Sequence, residues 1–186
     1  MILPTIWLMT DPARVPDPRT AVAGLPCGTA VILRHYDASD RAALAANIAI
    51  LCRARGLALL VAGDWRLAAA VGAQGLHLPE YLAQRGPDPG ARLWLKHKRR
   101  ILTAAAHGPR ALARARAIHA DAVLLSPLFP TVSHPQSKVL GITQAAMMAR
   151  GAGLPVIALG GVTPKHLRAL KRRGFSGIAG VGFGCA

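Results

Sequence analysis

Eight short apolar runs, separated by longer segments rich in Ala, Leu and Arg, constrain the fold of this chain more than any other feature. The runs fall at residues 6–9, 29–33, 57–62, 75–78, 100–104, 122–125, 155–159 and 177–181. Each is strand-length, and several are apolar throughout, as strands of a parallel sheet buried on both faces are. The spacing predicts helices over 39–55, 66–71, 109–118, 143–150 and 164–173. Strands alternating with helices imply parallel β-α units, and eight such units most naturally close into a (β/α)8 TIM barrel. An open, doubly wound sheet is the structural competitor. At 186 residues the chain is expected to form one domain spanning 1–186.

Local signals support several boundaries. Ser39 precedes a periodic helix and is placed to cap it, with Asp40 in the first turn. Gly56, Gly151, Gly153 and Gly174 follow helices, and Pro164 suits a first helical position after Thr163. Residues 85–91 read as a turn-rich loop rather than a helix. The last run lies so near Ala186 that an eighth helix covering strands 1 and 8 has no room. The expectation is an apolar seam, covered by a partner subunit, as in a homodimer, or by the N-terminal segment.

Hydrophobic residues make up 52% and charged residues 17% of the chain, which excludes a disordered segment. No apolar stretch is long enough to span a bilayer. The start carries Pro4 and Asp11 and no basic region, so no signal peptide is expected. Cys27, Cys52 and Cys185 then read as reduced thiols of a cytoplasmic protein, with no metal spacing linking them. The net charge of +15 suits nucleic acid, an anionic substrate or a membrane surface. Much of the Arg, as at Arg110, Arg114 and Arg116, is spread along helical faces and reads as a solvated surface. The densest patch runs from Lys96 to Arg100, without interleaved aromatics or a nucleic-acid motif, so that reading rests on the patch alone.

In such a barrel, chemistry sits on the loops after the strands. The strand ends carry Thr10 and Asp11; Arg34, His35 and Tyr36; Gly63, Asp64 and Trp65; Glu80 and Tyr81; His107; residues 126–134; Gly160 and Gly161; and Gly182, Phe183 and Gly184. Gly160-Gly161 lies between an apolar run and a predicted helix. Alone it is equally a tight turn, but after the seventh strand and beside Gly182 it reads as a phosphate cradle of close-approaching backbone at a helix start. A second anion would find Arg34, Thr131, Ser133, and His134 or Lys138. The competing reading of Arg34 is a surface salt bridge. His107, ending strand 5, is placed to donate a hydrogen bond or exchange a proton, or else to bond a neighbouring backbone group. His77, inside strand 4, reads as a satisfied core histidine.

Taken in order, several motifs resemble the thiamine phosphate synthase / thiazole tautomerase (TenI-like) family of barrels. They are Trp7-Leu8-Met9-Thr10-Asp11, Leu33-Arg34, Gly72-Ala73-Gln74-Gly75-Leu76-His77-Leu78, Ala106-His107, Ser126-Pro127-Leu128-Phe129-Pro130-Thr131, Gly141 and Pro155-Val156-Ile157-Ala158-Leu159-Gly160-Gly161. The resemblance implies a transferase of thiamine biosynthesis, joining hydroxymethylpyrimidine diphosphate to thiazole phosphate through a pyrimidine cation, with Mg2+ and loss of diphosphate. It implies Arg34, Thr131 and Ser133 on diphosphate, Gly160, Gly161 and Gly182 on thiazole phosphate, Gly141, His134 and Lys138 nearby, His107 in polar contact with the pyrimidine or leaving group, and Asp64 as metal ligand. The sequence departs from the family at four places. Ala62-Gly63 stands at the family's strand-3 Asn-Asp, Leu82 near its second Mg2+ aspartate, Tyr36 at its strand-2 lysine and His134 at its strand-6-loop lysine. The tautomerase histidine aligns with Pro127. The expectation is a kept phosphate end and an eroded metal end. The alternative function is a non-catalytic or regulatory phosphate-binding barrel.

Overall fold

Each strand of this chain must bury both of its faces, and the structure shows how. In the computed structural model, which describes residues 2–131 and 139–183, eight parallel strands form a closed barrel: β1 (Ile6–Met9), β2 (Ala30–Leu33), β3 (Ala58–Ala62), β4 (Gly75–Leu78), β5 (Ile101–Ala106), β6 (Ala122–Leu125), β7 (Val156–Leu159) and β8 (Gly177–Gly180). β1 pairs with β2 on one side and with β8 on the other, Trp7 standing opposite Ala30 and Ala179. That closure excludes the open sheet.

Alternation along the strands sorts their side chains into two cores. Trp7, Met9, Ile32, Leu60, Leu124 and Ile157 fill the barrel interior. Leu8, Val31, Leu33, Leu59 and Val123 belong to the outer core beneath the helices. Each such aliphatic side chain removed from water contributes about 1.5–3 kcal/mol. Unbroken apolar runs are therefore the sequence signature of a wall with two dry faces.

The helices are α1 (Arg19–Ala23), α2 (Arg41–Ala54), α3 (Trp65–Ala70), α4 (Glu80–Ala83), α5 (Pro89–His97), α6 (Pro109–Ala117), α7 (Ile142–Gly151) and α8 (Leu167–Lys171). Four differences from expectation have local causes. Asp40, not Ser39, caps α2, its Oδ1 accepting from Ala43 N at 2.8 Å. The expected loop over 85–91 ends at Asp88, where α5 begins, because Asp88 accepts from Ala91 N at 2.8 Å and Pro89 takes the first position. Gly151 closes α7 with no positive φ, whereas Gly56, Gly153 and Gly174 adopt φ of +64°, +67° and +96°. The helix expected over 164–173 is a 3-10 turn, Pro164–His166, leading into the five-residue α8.

Among the described residues no helix follows β8, yet the seam is closed. Leu8 and Ile178, on the outer faces of β1 and β8, are 1% and 0% exposed. The Phe183 ring folds over Gly180 so tightly that a Cβ there would lie 2.4 Å from it. Val22 of α1 joins Leu8, Ile178 and Phe183 in one core. Within the chain itself, Phe183 lies over the end of β8, so the expected seam is not left bare there. Among the described residues no helix is long and apolar enough to cross a membrane. Cys27 is an exposed free thiol, and burial pushes the free Cys52 thiol up to about 12.

Candidate functional site

The alternation that builds the barrel interior also builds the site. Continue each inward-facing register one or two steps past its strand and it reaches Asp11 from β1, Arg34 and Tyr36 from β2, Pro79 from β4, His107 from β5, Ser126 from β6, Gly161 from β7 and Val181 from β8. All of these residues line a single cavity of about 970 Å³ at the C-terminal mouth of the barrel. β3 contributes nothing to its lining. At Gly63 the chain takes φ +73° and turns away, and a Cβ there would meet Leu82 at 3.4 Å and the Tyr36 ring at 3.5 Å.

Arg34 is positioned through its backbone. Its N–H donates to Thr10 Oγ1 at 2.9 Å, and Thr10 Oγ1 lies 2.9 Å from His35 Nδ1. His35 Nε2 is 3.2 Å from the Pro16 carbonyl, which only accepts, so Nε2 carries a proton and donates there. This buried chain of bonds ties the loop bearing Asp11 and Arg14 to the strand end bearing Arg34. Burial raises the Tyr36 phenol above its usual value, opposed by the Arg34 charge and its hydrogen bond to the hydroxyl. The hydroxyl therefore remains a donor near neutrality. Beneath Tyr36, at 5.2 Å from its ring centroid, lies the Arg41 guanidinium.

His77 is 2% exposed and lines the floor of the cavity, with Nδ1 2.9 Å from Thr103 Oγ1. Burial, followed by the nearby Arg34 charge, pushes it down to about 3, so it is neutral throughout the physiological range. It is a satisfied core histidine, as expected from sequence, and a wall of the site as well. His107 is fixed by Glu80: one carboxylate oxygen accepts from His107 N at 3.0 Å and from Nδ1 at 2.5 Å. A ring held this way at Nδ1 presents Nε2 to solvent or ligand.

Gly160 and Gly161 both line the cavity and both have positive φ, +91° and +66°. Their first physical role is close packing. The loop after β6 docks on the turn, with Leu128 N bonding Leu159 O at 2.9 Å and Phe129 N bonding Gly160 O at 3.0 Å. A Cβ on Gly161 would lie 2.7 Å from both Phe129 Cβ and Pro130 O. Gly182 also lines the cavity, with nothing within 4 Å of where its Cβ would stand. Thr131 lines the wall, whereas Ser133, His134 and Lys138 lie outside the described residues. Gly141 stands outside the cavity lining; its φ of +70° starts α7, and its N–H bonds Leu128 O at 3.2 Å.

Asp64 is not part of the cavity wall. It caps α3, with Oδ1 accepting from Leu67 N at 2.9 Å and Oδ2 3.8 Å from Arg41 Nη1. Its carboxylate is thus committed to backbone and to a fixed cation. Among the described residues no group of three or more His, Cys, Asp or Glu side chains is arranged to hold a metal ion. The residues present do not fit the Mg2+ site that the resemblance implies. Asp11 and Tyr81, named from the sequence at strand ends but given no role, line the cavity, as do Arg14 and Gln84, which the sequence reading did not name. Arg14 and Gln84 follow turns that break the strand register.

Comparison with known proteins agrees with this geometry. A protein of Aquifex aeolicus (strain VF5), carrying the provisional name thiamine-phosphate synthase 2, is 30% identical over 97% of this chain and 97% of its own length. The thiamine-phosphate synthase of Geobacillus kaustophilus (strain HTA426) is 29% identical over 76% of this chain, which spans 62% of that relative. The solved thiamine phosphate pyrophosphorylase of Pyrococcus furiosus superposes with a TM-score of 0.74 over 98% of this chain and 88% of that one, at 22% identity, which speaks to the fold. The family profile of thiamine monophosphate synthase matches residues 9–182. With its barrel closed, its mouth built from the strand ends and nearly its whole length matched, this chain belongs to the thiamine monophosphate synthase family of thiamine biosynthesis.

Proposed function

We propose that this protein joins hydroxymethylpyrimidine diphosphate to thiazole phosphate with release of diphosphate. The reading is carried by one observation: Arg34 and the glycines of the β7 and β8 ends, Gly160, Gly161 and Gly182, line the same cavity. The proposed reaction needs two anion sites on one reacting centre. Arg34 offers a planar fork to the diphosphate, and the Tyr36 hydroxyl beside it offers a further donor. Charge grows on the leaving oxygens as the carbon–oxygen bond breaks, so donors already aimed there lower the barrier. Thr131 is proposed to add to this grip, with Ser133, His134 and Lys138 of the same loop. The glycine turns would hold thiazole phosphate by backbone N–H groups. His107, with Nδ1 occupied by Glu80, would use Nε2 for a polar contact with the pyrimidine or the leaving group. Gly141 would serve this assembly by setting the start of α7 and the return of the loop.

A second reading, a phosphate-binding barrel without turnover, is favoured by Tyr36 and Leu82 standing where the family carries a lysine and an aspartate. The two separate in one assay. The protein is incubated with both substrates and thiamine phosphate is measured by oxidation to a fluorescent thiochrome. The transferase reading expects product, and an Arg34→Ala rate lower by about 100-fold or more. Binding of either substrate without product would replace it with the second reading.

A further inference from the structure

We infer that fixed guanidinium charge replaces the divalent cation in this chain, so that Arg34 and Arg14, with the Tyr36 hydroxyl, hold the ligand's diphosphate directly. The inference rests on reading the mouth as an anion site. It is carried by where every carboxylate lies. The sequence has only eight, all within the described residues. Asp17 is paired with Arg19. Asp40, Asp64 and Asp88 cap α2, α3 and α5. Asp121 accepts from Leu102 N at 2.8 Å. Asp37 is not in the cavity lining, which leaves Asp11 and Glu80 as its only carboxylates.

Those two do not make a magnesium site. Mg2+ binds oxygens at about 2.1 Å in a near-octahedral array, so two carboxylates on one ion stand within about 4 Å of each other. Asp11 follows β1 and Glu80 follows β4, three strands apart around the barrel, and among the described residues no group of three or more His, Cys, Asp or Glu side chains gathers them around an ion. Glu80 also gives one oxygen to two N–H groups of His107.

The end of β3 is positively occupied by other groups. Arg41 Nη2 donates to Ala62 O at 2.7 Å and Nη1 faces Asp64 Oδ2 at 3.8 Å, while its buried Nε has no partner among the described residues. The Tyr36 ring stacks over this guanidinium, and Leu82 packs beside the ring against Gly63. An immobile cation under an aromatic and aliphatic cover repels a second cation and offers it no oxygen. On the cavity side of that cover stand Arg14, Arg34 and the Tyr36 hydroxyl.

The test is isothermal titration of the full chain with inorganic diphosphate, in EDTA and again in excess Mg2+. Affinity in EDTA is expected to equal that in Mg2+ within about threefold, with Arg34→Ala and Arg14→Ala each weakening it about tenfold or more. Arg14 is on an exposed loop, so its truncation does not threaten the fold. Lys98→Ala, in the remote basic patch, is expected to leave binding unchanged and so excludes diffuse attraction to the +15 surface. Diphosphate binding that appears only with Mg2+ overturns the inference and leaves the anion site standing. Absence of binding in both buffers overturns the anion site, and the inference with it.

Discussion

At the scale of single residues, the site depends on neutral groups as much as on charges. His77 has an ordinary value of 6.5 when unfolded and about 3 in the fold. Between those values the unfolded chain takes up a proton that the folded chain refuses, so stability falls as pH falls. The contribution is intact above about pH 6.5 and is lost toward pH 3 at up to about 1.4 kcal/mol per pH unit. Urea unfolding at pH 7 and pH 5 is expected to show about 2 kcal/mol of acid loss that a His77→Gln variant lacks. An equal loss in the variant would assign the acid sensitivity elsewhere. Thr10 joins the Arg34 N–H to His35 Nδ1 by a single hydroxyl. Thr10→Val keeps the volume and strands both partners, at an expected cost of about 1–3 kcal/mol in denaturant, whereas Thr10→Ser retains the bonds.

At the scale of elements, the glycines after β7 and β8 differ in what surrounds them, so mutation can separate packing from the proposed phosphate contact. Gly161→Ala places a methyl 2.7 Å from backbone and Cβ atoms at a φ of +66°. Such a clash combines backbone strain with overpacking and is expected to lower stability by about 2–4 kcal/mol, read as a fall in melting temperature. Gly182→Ala meets nothing within 4 Å. It is expected to leave the melting temperature within about 2 °C while raising KM for thiazole phosphate. An unchanged KM would remove Gly182 from the phosphate site. The periodicity in the sequence locates every strand to within two residues, because a wall dry on both faces leaves a continuous apolar run. The short helices α1, α4 and α8 are less legible. Their five, four and five residues hold too few turns to show a period, and packing rather than propensity makes them helical.

At the scale of the whole molecule, closure of the barrel depends on what covers β8 and β1. Phe183 lies over Gly180 in the core that includes Leu8 and Ile178. Phe183→Ala is expected to cost about 3–5 kcal/mol, and to increase binding of a hydrophobic dye as the seam opens. Retained stability in urea would mean that Phe183 does not hold the seam closed. The amino-acid sequence by itself determined the parallel eight-stranded barrel, the mouth at which chemistry sits and most of the residues facing it. These depend on local periodicity, and strand parity carries past Ile32 to Arg34 and past Ala105 to His107 without knowledge of any partner. Only the tertiary structure decided what those residues do. That Glu80 holds His107, and that Arg41 reaches Ala62 O and faces Asp64 at the end of β3, depend on groups meeting across elements far apart in the chain; the Asp64 cap of α3 is a local bond to Leu67 N. A carboxylate's neighbours, rather than its place in a motif, decide whether it is free to bind a cation.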